Sequence, residues 1–170
     1  MTDIKVFLYG LDNAGKTALS ETLKRDITFT NTKPTLSIIM SKMLIKNIAF
    51  FIWDAPGQIS LRDTWERGAK GSKLLMFVLD TADNQRFEEA KREFYSILND
   101  TELKGIPLIF CFHKMDLVSA QEHLIEAQNK FDLNSMKERK VILVETSIKL
   151  MDSIEKLKGK MVATFLDRFL

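Results

Sequence analysis

The sequence is poor in the residues that mark secreted, membrane-spanning or linker-rich proteins. Cys111 is its single cysteine, so no internal disulfide can form, which fits a reducing cytosol. No apolar run reaches the roughly 18 residues that a transmembrane helix needs. The seven glycines and three prolines do not gather into a linker, and the chain shows no internal repeat. We therefore expect one domain, residues 1–170, in the cytoplasm.

An excess of one charge is lacking as well. The chain carries 25 Lys and Arg residues against 23 Asp and Glu residues, a net charge of +2. This excess is too small to indicate nucleic acid as a partner. The chain starts without the basic segment of a signal peptide, and neither a glycine after Met1 nor a C-terminal cysteine offers a lipidation site. We expect any membrane contact to be peripheral and transient.

Short apolar runs alternate with helical patterns along the chain. Four of these runs cover residues 4–9, 74–79, 106–112 and 141–144. Uninterrupted apolar strands are typical of parallel sheets with helices on both faces. Two further β-rich runs, 37–45 and 48–53, flank Lys46-Asn47, which is short enough for a hairpin turn. The sequence thus predicts an α/β domain with a mostly parallel six-stranded sheet and one antiparallel edge strand.

Helical patterns fill the stretches between the predicted strands. Ser119 and Glu122 match a capping box, which predicts a helix start at this point. The mixed charges of residues 86–93 are interpreted as a solvated helix face. Near the C-terminus an apolar stripe predicts an amphipathic helix against the sheet. The members of this stripe are Ile154, Leu157, Met161, Phe165 and Leu166.

Residues 10–17 read Gly-Leu-Asp-Asn-Ala-Gly-Lys-Thr and match the phosphate-binding pattern GxxxxGK[ST] between a strand and a helix. Backbone N–H groups at the start of such a helix point to phosphate oxygens, and Lys16 adds a point charge. The Thr17 hydroxyl is a ligand for Mg²⁺. The pattern indicates a purine nucleoside triphosphate with Mg²⁺. The residues predicted to hold it here are Asp12, Asn13, Ala14, Gly15, Lys16, Thr17 and Ala18.

Two later segments complete the predicted phosphate and magnesium site. Asp54 ends an apolar run and is the expected second anchor for Mg²⁺. Gly57 can offer its N–H to the γ-phosphate, and Gln58 can orient an attacking water. In the loop before the hairpin, Thr35 can give its hydroxyl to Mg²⁺ in the triphosphate state only, which orders this loop reversibly. The predicted metal ligands are therefore Thr17, Thr35 and Asp54.

Polar motifs also follow two further strands, His113-Lys114-Met115-Asp116 and Glu145-Thr146-Ser147-Ile148-Lys149. With these motifs in place, the chain resembles a small GTPase of the Ras superfamily, in its Arf/Sar/Arl-like branch. The resemblance runs over nearly the whole chain, with the motifs in family order. It rests on the phosphate loop, Pro34-Thr35, Lys46-Asn47-Ile48, Trp53-Asp54, Gly57-Gln58, Trp65 and the segment 80–86.

The resemblance implies a Ras-like P-loop G domain that binds GTP and GDP. Asp116 would accept from the guanine ring N–H and amine, the N–H of Ile148 would donate to guanine O6, and the stem of Lys114 would lie along the base. The base pocket implied by the resemblance consists of His113, Lys114, Asp116, Ser147 and Ile148.

The resemblance also implies a switch that hydrolyses GTP slowly to GDP and phosphate, with Gln58 and Lys16 as its catalytic residues. Its partners would be effector, exchange-factor and activating proteins that contact switch I, the loop around Thr35, and switch II, the segment after Gly57. Membrane trafficking is the process that the resemblance suggests. No arginine stands in the phosphate loop or beside Thr35, so fast turnover would need an arginine from a partner.

The chain departs from the family pattern at three places. His113 stands where the base motif carries Asn, so we expect weaker or pH-dependent nucleotide affinity. Pro56 replaces a glycine and removes one N–H. About nine residues precede Gly10, without the N-terminal amphipathic helix of Arf-type chains, so either that device is absent or the chain is truncated.

Three interpretations are left open by the residues. His113 and Pro56 are also compatible with a GTP-binding scaffold that does not hydrolyse its ligand. A P-loop kinase is a second alternative, although the arginine-rich lid of such enzymes has no counterpart after the central strands. Trp65 is either a core residue or an effector contact. Cys111, inside an apolar run, is interpreted as a buried small hydrophobe.

Overall fold

The structure is a computed structural model that describes residues 3–30 and 32–166. Its strands are β1 (Asp3–Tyr9), β2 (Ile39–Ile45), β3 (Ile48–Asp54), β4 (Leu74–Asp80), β5 (Leu108–His113) and β6 (Val141–Glu145). Its helices are α1 (Lys16–Arg25), α2 (Trp65–Ala69), α3 (Phe87–Leu98), α4 (Val118–Phe131) and α5 (Met151–Leu166). A 3₁₀ segment, Ile59–Thr64, leads into α2. Strands and helices therefore alternate as the sequence predicts.

The six strands form one sheet in the order β2-β3-β1-β4-β5-β6. β1 pairs in parallel with β3 and β4, and the pairs β4–β5 and β5–β6 are parallel as well. β2 pairs antiparallel with β3. The turn between them is Lys46-Asn47, with φ of 46° and 66°, the pair of positive values that a type I′ hairpin turn requires. The predicted fold class and the predicted hairpin are confirmed.

The uninterrupted apolar strands arise because helices cover both faces of the sheet. Successive side chains of a strand point to opposite faces. Along β1, Phe7 and Tyr9 join an apolar cluster with α3 and α4, whereas Val6 and Leu8 join a second cluster with α1 and α5. Both faces of the strand are thus buried, and its carboxyl end is left to carry the phosphate loop.

Two predicted details of the helices are wrong. α4 begins at Val118 and has no side-chain cap, so Ser119 lies inside the first turn and forms no capping box. The helix starts early because a tight turn follows β5, in which the N–H of Leu117 donates to the Lys114 carbonyl over 3.0 Å. On α5, Leu166 is 48% exposed because it follows buried Phe165 and is rotated away by about 100°.

Burial of Cys111 agrees with its interpretation as a small core residue. Its side chain is fully buried in β5, and this burial raises the pKa of the thiol to about 12. Across residues 3–30 and 32–166, no helix has both the length and the apolar character that a membrane span requires.

Candidate functional site

A cleft of about 710 Å³ opens at the carboxyl ends of the parallel strands. Open α/β sheets bind ligands at this edge, where the loops after neighbouring strands meet. The cleft brings the phosphate loop, both predicted switch segments and the two base motifs together. Its walls consist of Asp12, Asn13, Gly15, Lys16, Thr17, Ala18, Thr32, Lys33, Pro34, Thr35, Gly57, Gln58, His113, Lys114, Asp116, Leu117, Ser147, Ile148 and Lys149.

The phosphate loop ends at a helix N-terminus that no side chain caps. Gly15 is the N-cap residue of α1, with φ of 98°, a left-handed conformation that favours glycine. A Cβ at this position would lie 2.8 Å from Cδ2 of His113. Because the N–H groups of the first helical turn have no side-chain partner at the cap, they are available to an anion in the cleft.

Ala14 is the one predicted nucleotide contact in the phosphate loop that the structure places away from the cleft wall. Its side chain is buried, and its N–H donates to the carbonyl of Leu11 over 3.3 Å. The loop closes a turn of its own at this residue, so this N–H points back into the loop. Ala14 itself does not line the cleft, while its neighbours Asn13 and Gly15 do; its predicted contact with a nucleotide stays a prediction.

Lys16 lies buried at the floor of the cleft. Its Nζ donates to the carbonyl of Leu11 over 2.7 Å, and a Cβ added to Gly57 would lie only 2.6 Å from this nitrogen. Burial lowers the pKa of the ammonium to about 8, although the nearby charge of Asp54 acts in the opposite direction. The positive charge of Lys16 is thus held close to both the phosphate loop and Gly57.

The three predicted metal ligands form one hydrogen-bonded group. The hydroxyl of Thr17 donates to Oδ2 of Asp54 over 2.6 Å, and the hydroxyls of Thr17 and Thr35 are 2.9 Å apart. Asp54 is buried, which raises the pKa of its carboxyl, while the Thr17 hydrogen bond opposes this shift. Within the described part of the chain, Oδ1 of Asp54 is buried without a hydrogen-bond partner. Hydroxyl and carboxylate oxygens with such an unsatisfied atom fit a Mg²⁺ ion.

The predicted base pocket is assembled at the opposite end of the cleft. Oδ1 of Asp116 accepts a hydrogen bond from the hydroxyl of Ser147 over 2.6 Å, which fixes the orientation of the carboxylate. The N–H of Met115 donates to the carbonyl of Thr146 over 3.1 Å. The carbonyl of Ile148 accepts from the hydroxyl of Thr28 over 2.8 Å. The loops after β5 and β6 are therefore joined to each other and to the segment after α1.

Lys114 connects three loops at the edge of the sheet. Its Nζ donates to the carbonyl of Asn13 over 2.7 Å and to Oδ2 of Asp80 over 2.6 Å. Its own φ is 66°, a strained value for a residue with a side chain. The long alkyl stem therefore crosses the cleft wall from the base motif to the phosphate loop.

His113 packs its ring between the base motif and the phosphate loop. Nδ1 shares a hydrogen bond of 2.8 Å with the hydroxyl of Thr146, and the opposite edge of the ring contacts Gly15. Burial, and secondarily the charge of Lys114, lowers the pKa of the imidazole to about 4. The ring is therefore neutral from pH 5.5 to 8, which favours an affinity that is independent of pH in this range; the effect of His113 on nucleotide affinity stays a prediction.

A network of charged side chains around Asp12 was not predicted from the sequence. Oδ1 of Asp12 accepts from Nη2 of Arg86 over 2.8 Å and from Nη2 of Arg62 over 3.2 Å. Arg62 is buried and also reaches Glu89 and Glu93, over 2.9 and 3.4 Å. Hydrogen bonds from Arg86 lower the pKa values of the Asp12 and Glu89 carboxyls.

The network corrects the interpretation of residues 86–93 as a solvated helix face for Arg86, Glu89 and Glu93, which pair with the phosphate loop or switch II. Glu88 and Arg92 in the same segment are exposed, as predicted. Arg62 and Asp12 are 50 positions apart, and no local pattern predicts their contact. Trp65 is likewise buried, and its Nε1 donates to the carbonyl of Pro56 over 2.7 Å. The structure thus supports the core alternative for Trp65.

Comparisons with known proteins agree with this geometry. The chain matches the ADP-ribosylation factor family over residues 1–164. It is 34% identical to ADP-ribosylation factor K of Dictyostelium discoideum over 139 residues, which cover 81% of this chain and 72% of that protein. ADP-ribosylation factor J of the same organism matches with the same identity and coverage.

Among solved structures, the Arl6 BBS3 small GTPase from Trypanosoma brucei with the bound nucleotide analogue GppNp is similar in fold. The TM-score is 0.80 at 22% sequence identity, and the match covers 96% of this chain and 99% of the other.

Proposed function

Because the chain belongs to the ADP-ribosylation factor family of small GTPases, we propose that each wall of its cleft acts on a different part of a GTP–Mg²⁺ complex. The family assignment confirms the resemblance that the motifs indicated. It makes the chain a GTP-binding switch that hydrolyses GTP, so the alternative of a non-hydrolysing scaffold is not favoured. We further propose that residues 1–170 form one G domain that acts in the cytoplasm and takes part in membrane trafficking.

The magnesium ion would be held by Thr17, Thr35 and Asp54. The hydroxyl oxygen of Thr17 lies 2.9 Å from that of Thr35 and 2.6 Å from Oδ2 of Asp54. The buried Oδ1 of Asp54 provides a further acceptor. When bound, the ion would offset the negative charge of the phosphates. Thr35 would complete the set only with a triphosphate, which makes switch I responsive to the γ-phosphate.

The phosphates would be held by the α1 N-terminus, Lys16 and Gly57. The uncapped helix start supplies N–H donors, and the buried ammonium supplies a charge at low dielectric. The N–H of Gly57 has no hydrogen-bond partner in the structure as far as it is described, and the residue lines the cleft. Gln58 follows it on the same wall and would orient the attacking water.

The base would lie between Lys114 and the loops after β5 and β6. Asp116 would accept from the guanine ring N–H and amine, and its orientation by Ser147 supports this role. The N–H of Ile148 would donate to guanine O6. The neutral ring of His113 would support the phosphate loop by packing on Gly15, in place of an amide hydrogen bond.

Partner proteins would contact switch I and switch II beside the cleft. Leu36 in switch I and Ile59 in switch II are 72% and 71% exposed, as expected of apolar contacts that await a partner. Arg62 and Arg86 lie beside the phosphate loop, and both pair with Asp12. Intrinsic hydrolysis is therefore expected at about 10⁻⁴ to 10⁻³ s⁻¹, and an arginine from an activating protein would accelerate it.

The hydrogen-bonded group of Thr17, Thr35 and Asp54 beside buried Lys16 carries this proposal. It is tested by single-turnover hydrolysis of GTP with Mg²⁺, with Gln58→Leu as the matched variant. We expect slow phosphate release from the wild type without any added acceptor, and a loss of about tenfold or more in the variant. Equal inertness of both proteins would favour the scaffold, and a requirement for an acceptor would favour the kinase.

A further inference from the structure

Trp65 positions the backbone group that reads the γ-phosphate; we infer this role from its hydrogen bond to Pro56, and it rests on the proposed function of Gly57. The indole Nε1 donates to the carbonyl of Pro56 over 2.7 Å. That carbonyl belongs to the same peptide unit as the N–H of Gly57. No described peptide bond is cis, and in a trans peptide the C=O and N–H point in opposite directions. The indole therefore sets the direction of the Gly57 N–H.

The indole itself is held rigidly. Trp65 is 1% exposed at the start of α2. Its ring meets the ring of Tyr9 edge-on, with centroids 5.5 Å apart and an interplanar angle of 78°, and the guanidinium of Arg62 lies 5.9 Å from its centroid. Contacts with β1 and with the 3₁₀ segment thus limit the freedom of the indole. A donor anchored in this way transmits its orientation to the acceptor peptide.

The next peptide unit is held from the opposite side. The carbonyl of Gly57 accepts from the N–H of Asp12 over 3.1 Å and from Nε of Arg62 over 2.8 Å. By the same geometry, these two donors direct the N–H of Gln58. Switch II and the phosphate loop therefore control two successive peptides, and Pro56 restricts the backbone before them.

Only glycine permits this arrangement at position 57. A Cβ there would lie 2.5 Å from the nitrogen of Asp12 and 2.6 Å from Nζ of Lys16. The chain must pass close to the phosphate loop, where a free peptide could adopt several orientations. The bond from Trp65 selects one orientation before the ligand arrives, and donors that are oriented in advance favour the charge that they face.

The role of Trp65 predicts a selective defect. Trp65→Phe keeps an aromatic ring and removes the N–H donor together with one of the two rings of the indole. Under the proposed function a triphosphate contacts Gly57 and a diphosphate does not, so the variant should lose affinity for the triphosphate alone. A merely structural role would weaken the binding of both nucleotides or of neither.

The test measures dissociation constants of GDP and of the non-hydrolysable analogue GppNHp, both with Mg²⁺, for the wild type and Trp65→Phe. We expect the preference for GppNHp relative to GDP to fall about fivefold to tenfold, the worth of one buried hydrogen bond, with GDP affinity within about twofold. Tyr9→Phe is the matched control, because it removes a buried hydroxyl that donates to the Phe94 carbonyl over 3.2 Å. Its preference should not change.

An unchanged preference in Trp65→Phe, or equal losses for both nucleotides, would overturn the inference while leaving the proposed function intact. The proposed function fails separately if the wild type itself binds both nucleotides alike whether or not Mg²⁺ is chelated. In that case the role of Trp65 fails with it.

A second measurement does not depend on the stability of the variant. In the GppNHp complex of the wild type, we expect the indole N–H signal of Trp65 to be protected from exchange with solvent, and Trp53→Phe assigns the two indole signals. Exchange of the Trp65 signal as fast as that of Trp53, which is only partly buried, would show that the hydrogen bond is absent in this state and would overturn the inference.

Discussion

The hydroxyl of Thr17 donates a hydrogen bond of 2.6 Å to the carboxylate of Asp54, although the two residues are 37 positions apart. Thr17 lies in the first turn of α1, and Asp54 is the last residue of β3. The parallel pairing of β1 with β3 brings these ends together, with Leu8 opposite Asp54. The sheet topology thus brings the oxygens of two separate motifs together, where we propose that Mg²⁺ binds.

Asp54→Asn should abolish most of the effect of Mg²⁺ on nucleotide release. The change keeps the size of the side chain and removes the negative charge that would attract the ion. Chelation of Mg²⁺ should accelerate GDP release from the wild type. Release from the variant should be fast with and without Mg²⁺, so that the effect of Mg²⁺ on the release rate falls about tenfold or more. Asp152→Asn, at an exposed position of α5, is the control. A full Mg²⁺ effect in Asp54→Asn would contradict the assignment.

Stability should fall between pH 6.5 and 4 because of His113. The imidazole has a pKa of about 4 in the folded protein against 6.5 when unperturbed. Between these values the unfolded chain binds the proton and the folded protein does not, so that lowering the pH favours unfolding by up to about 3 kcal/mol. Urea unfolding of wild type and His113→Asn from pH 4.5 to 7.5 measures this. The difference in stability between the two proteins should change with pH; parallel curves would contradict it.

Nucleotide affinity should be independent of the protonation of His113 from pH 5.5 to 8. The ring is neutral throughout this range, so it contributes the same hydrogen bond to Thr146 and the same packing on Gly15. The measurement is the ratio of GDP affinities of wild type and His113→Asn across the range. A ratio that changes about tenfold between the two ends would show that the ring titrates there.

Gly68→Ala should destabilise the protein, although alanine favours helices by about 1 kcal/mol over glycine. A Cβ at this position in α2 would collide with Cδ1 of Ile38 and lie 3.1 Å from Cε2 of Phe7. Overpacking of this kind costs about 1–3 kcal/mol. Gly159→Ala on α5 is the control, because its Cβ would meet no atom within 4 Å; this variant should gain about 0.5–1 kcal/mol.

Ile38→Val should restore part of the stability that Gly68→Ala loses, since it removes the colliding Cδ1 methyl. Urea unfolding of the two single variants and the double variant gives the coupling free energy. If the changes in the free energy of unfolding of the two single variants simply add in the double variant, Ile38 does not occupy the space beside Gly68.

Asp12→Asn should weaken the attachment of switch II to the phosphate loop. Buried Arg62 would lose one of its carboxylate partners while keeping Glu89 and Glu93. We expect a loss of about 1–2 kcal/mol in the free energy of unfolding. Glu102→Gln, which breaks an exposed ion pair, should change it by less than about 0.5 kcal/mol. Similar small changes in both variants would contradict the role of the network.

The parts of the site that could be predicted from the sequence are those whose chemistry lies in a short segment. Residues 10–17 form a phosphate loop by local spacing alone, and the hairpin turn at Lys46-Asn47 depends on two adjacent residues. The roles of Asp54 and Thr35 in the site can be predicted from their positions in the sequence relative to this loop. In each case a strand or loop end carries its functional group regardless of distant packing.

Other features depend on contacts between distant segments and could not be predicted. The low pKa of His113 arises from burial that only the folded sheet creates. The pairing of Arg86 with Asp12 joins residues 74 positions apart. Trp65 is a core residue and not an exposed effector contact because α2 places its ring against Tyr9. Charge and apolarity in a sequence do not show which of these residues become neighbours.

The identity of the nucleotide that co-purifies with the protein tests the central claim most directly. The protein is purified with Mg²⁺ and without added nucleotide, denatured by heat, and the released nucleotide is separated and quantified. We predict GDP or GTP in about equimolar amount, because in the proposed function Asp116 would select guanine and Thr17 with Asp54 would retain the Mg²⁺ complex. Release of ADP or ATP, or a preparation without nucleotide, would contradict the account.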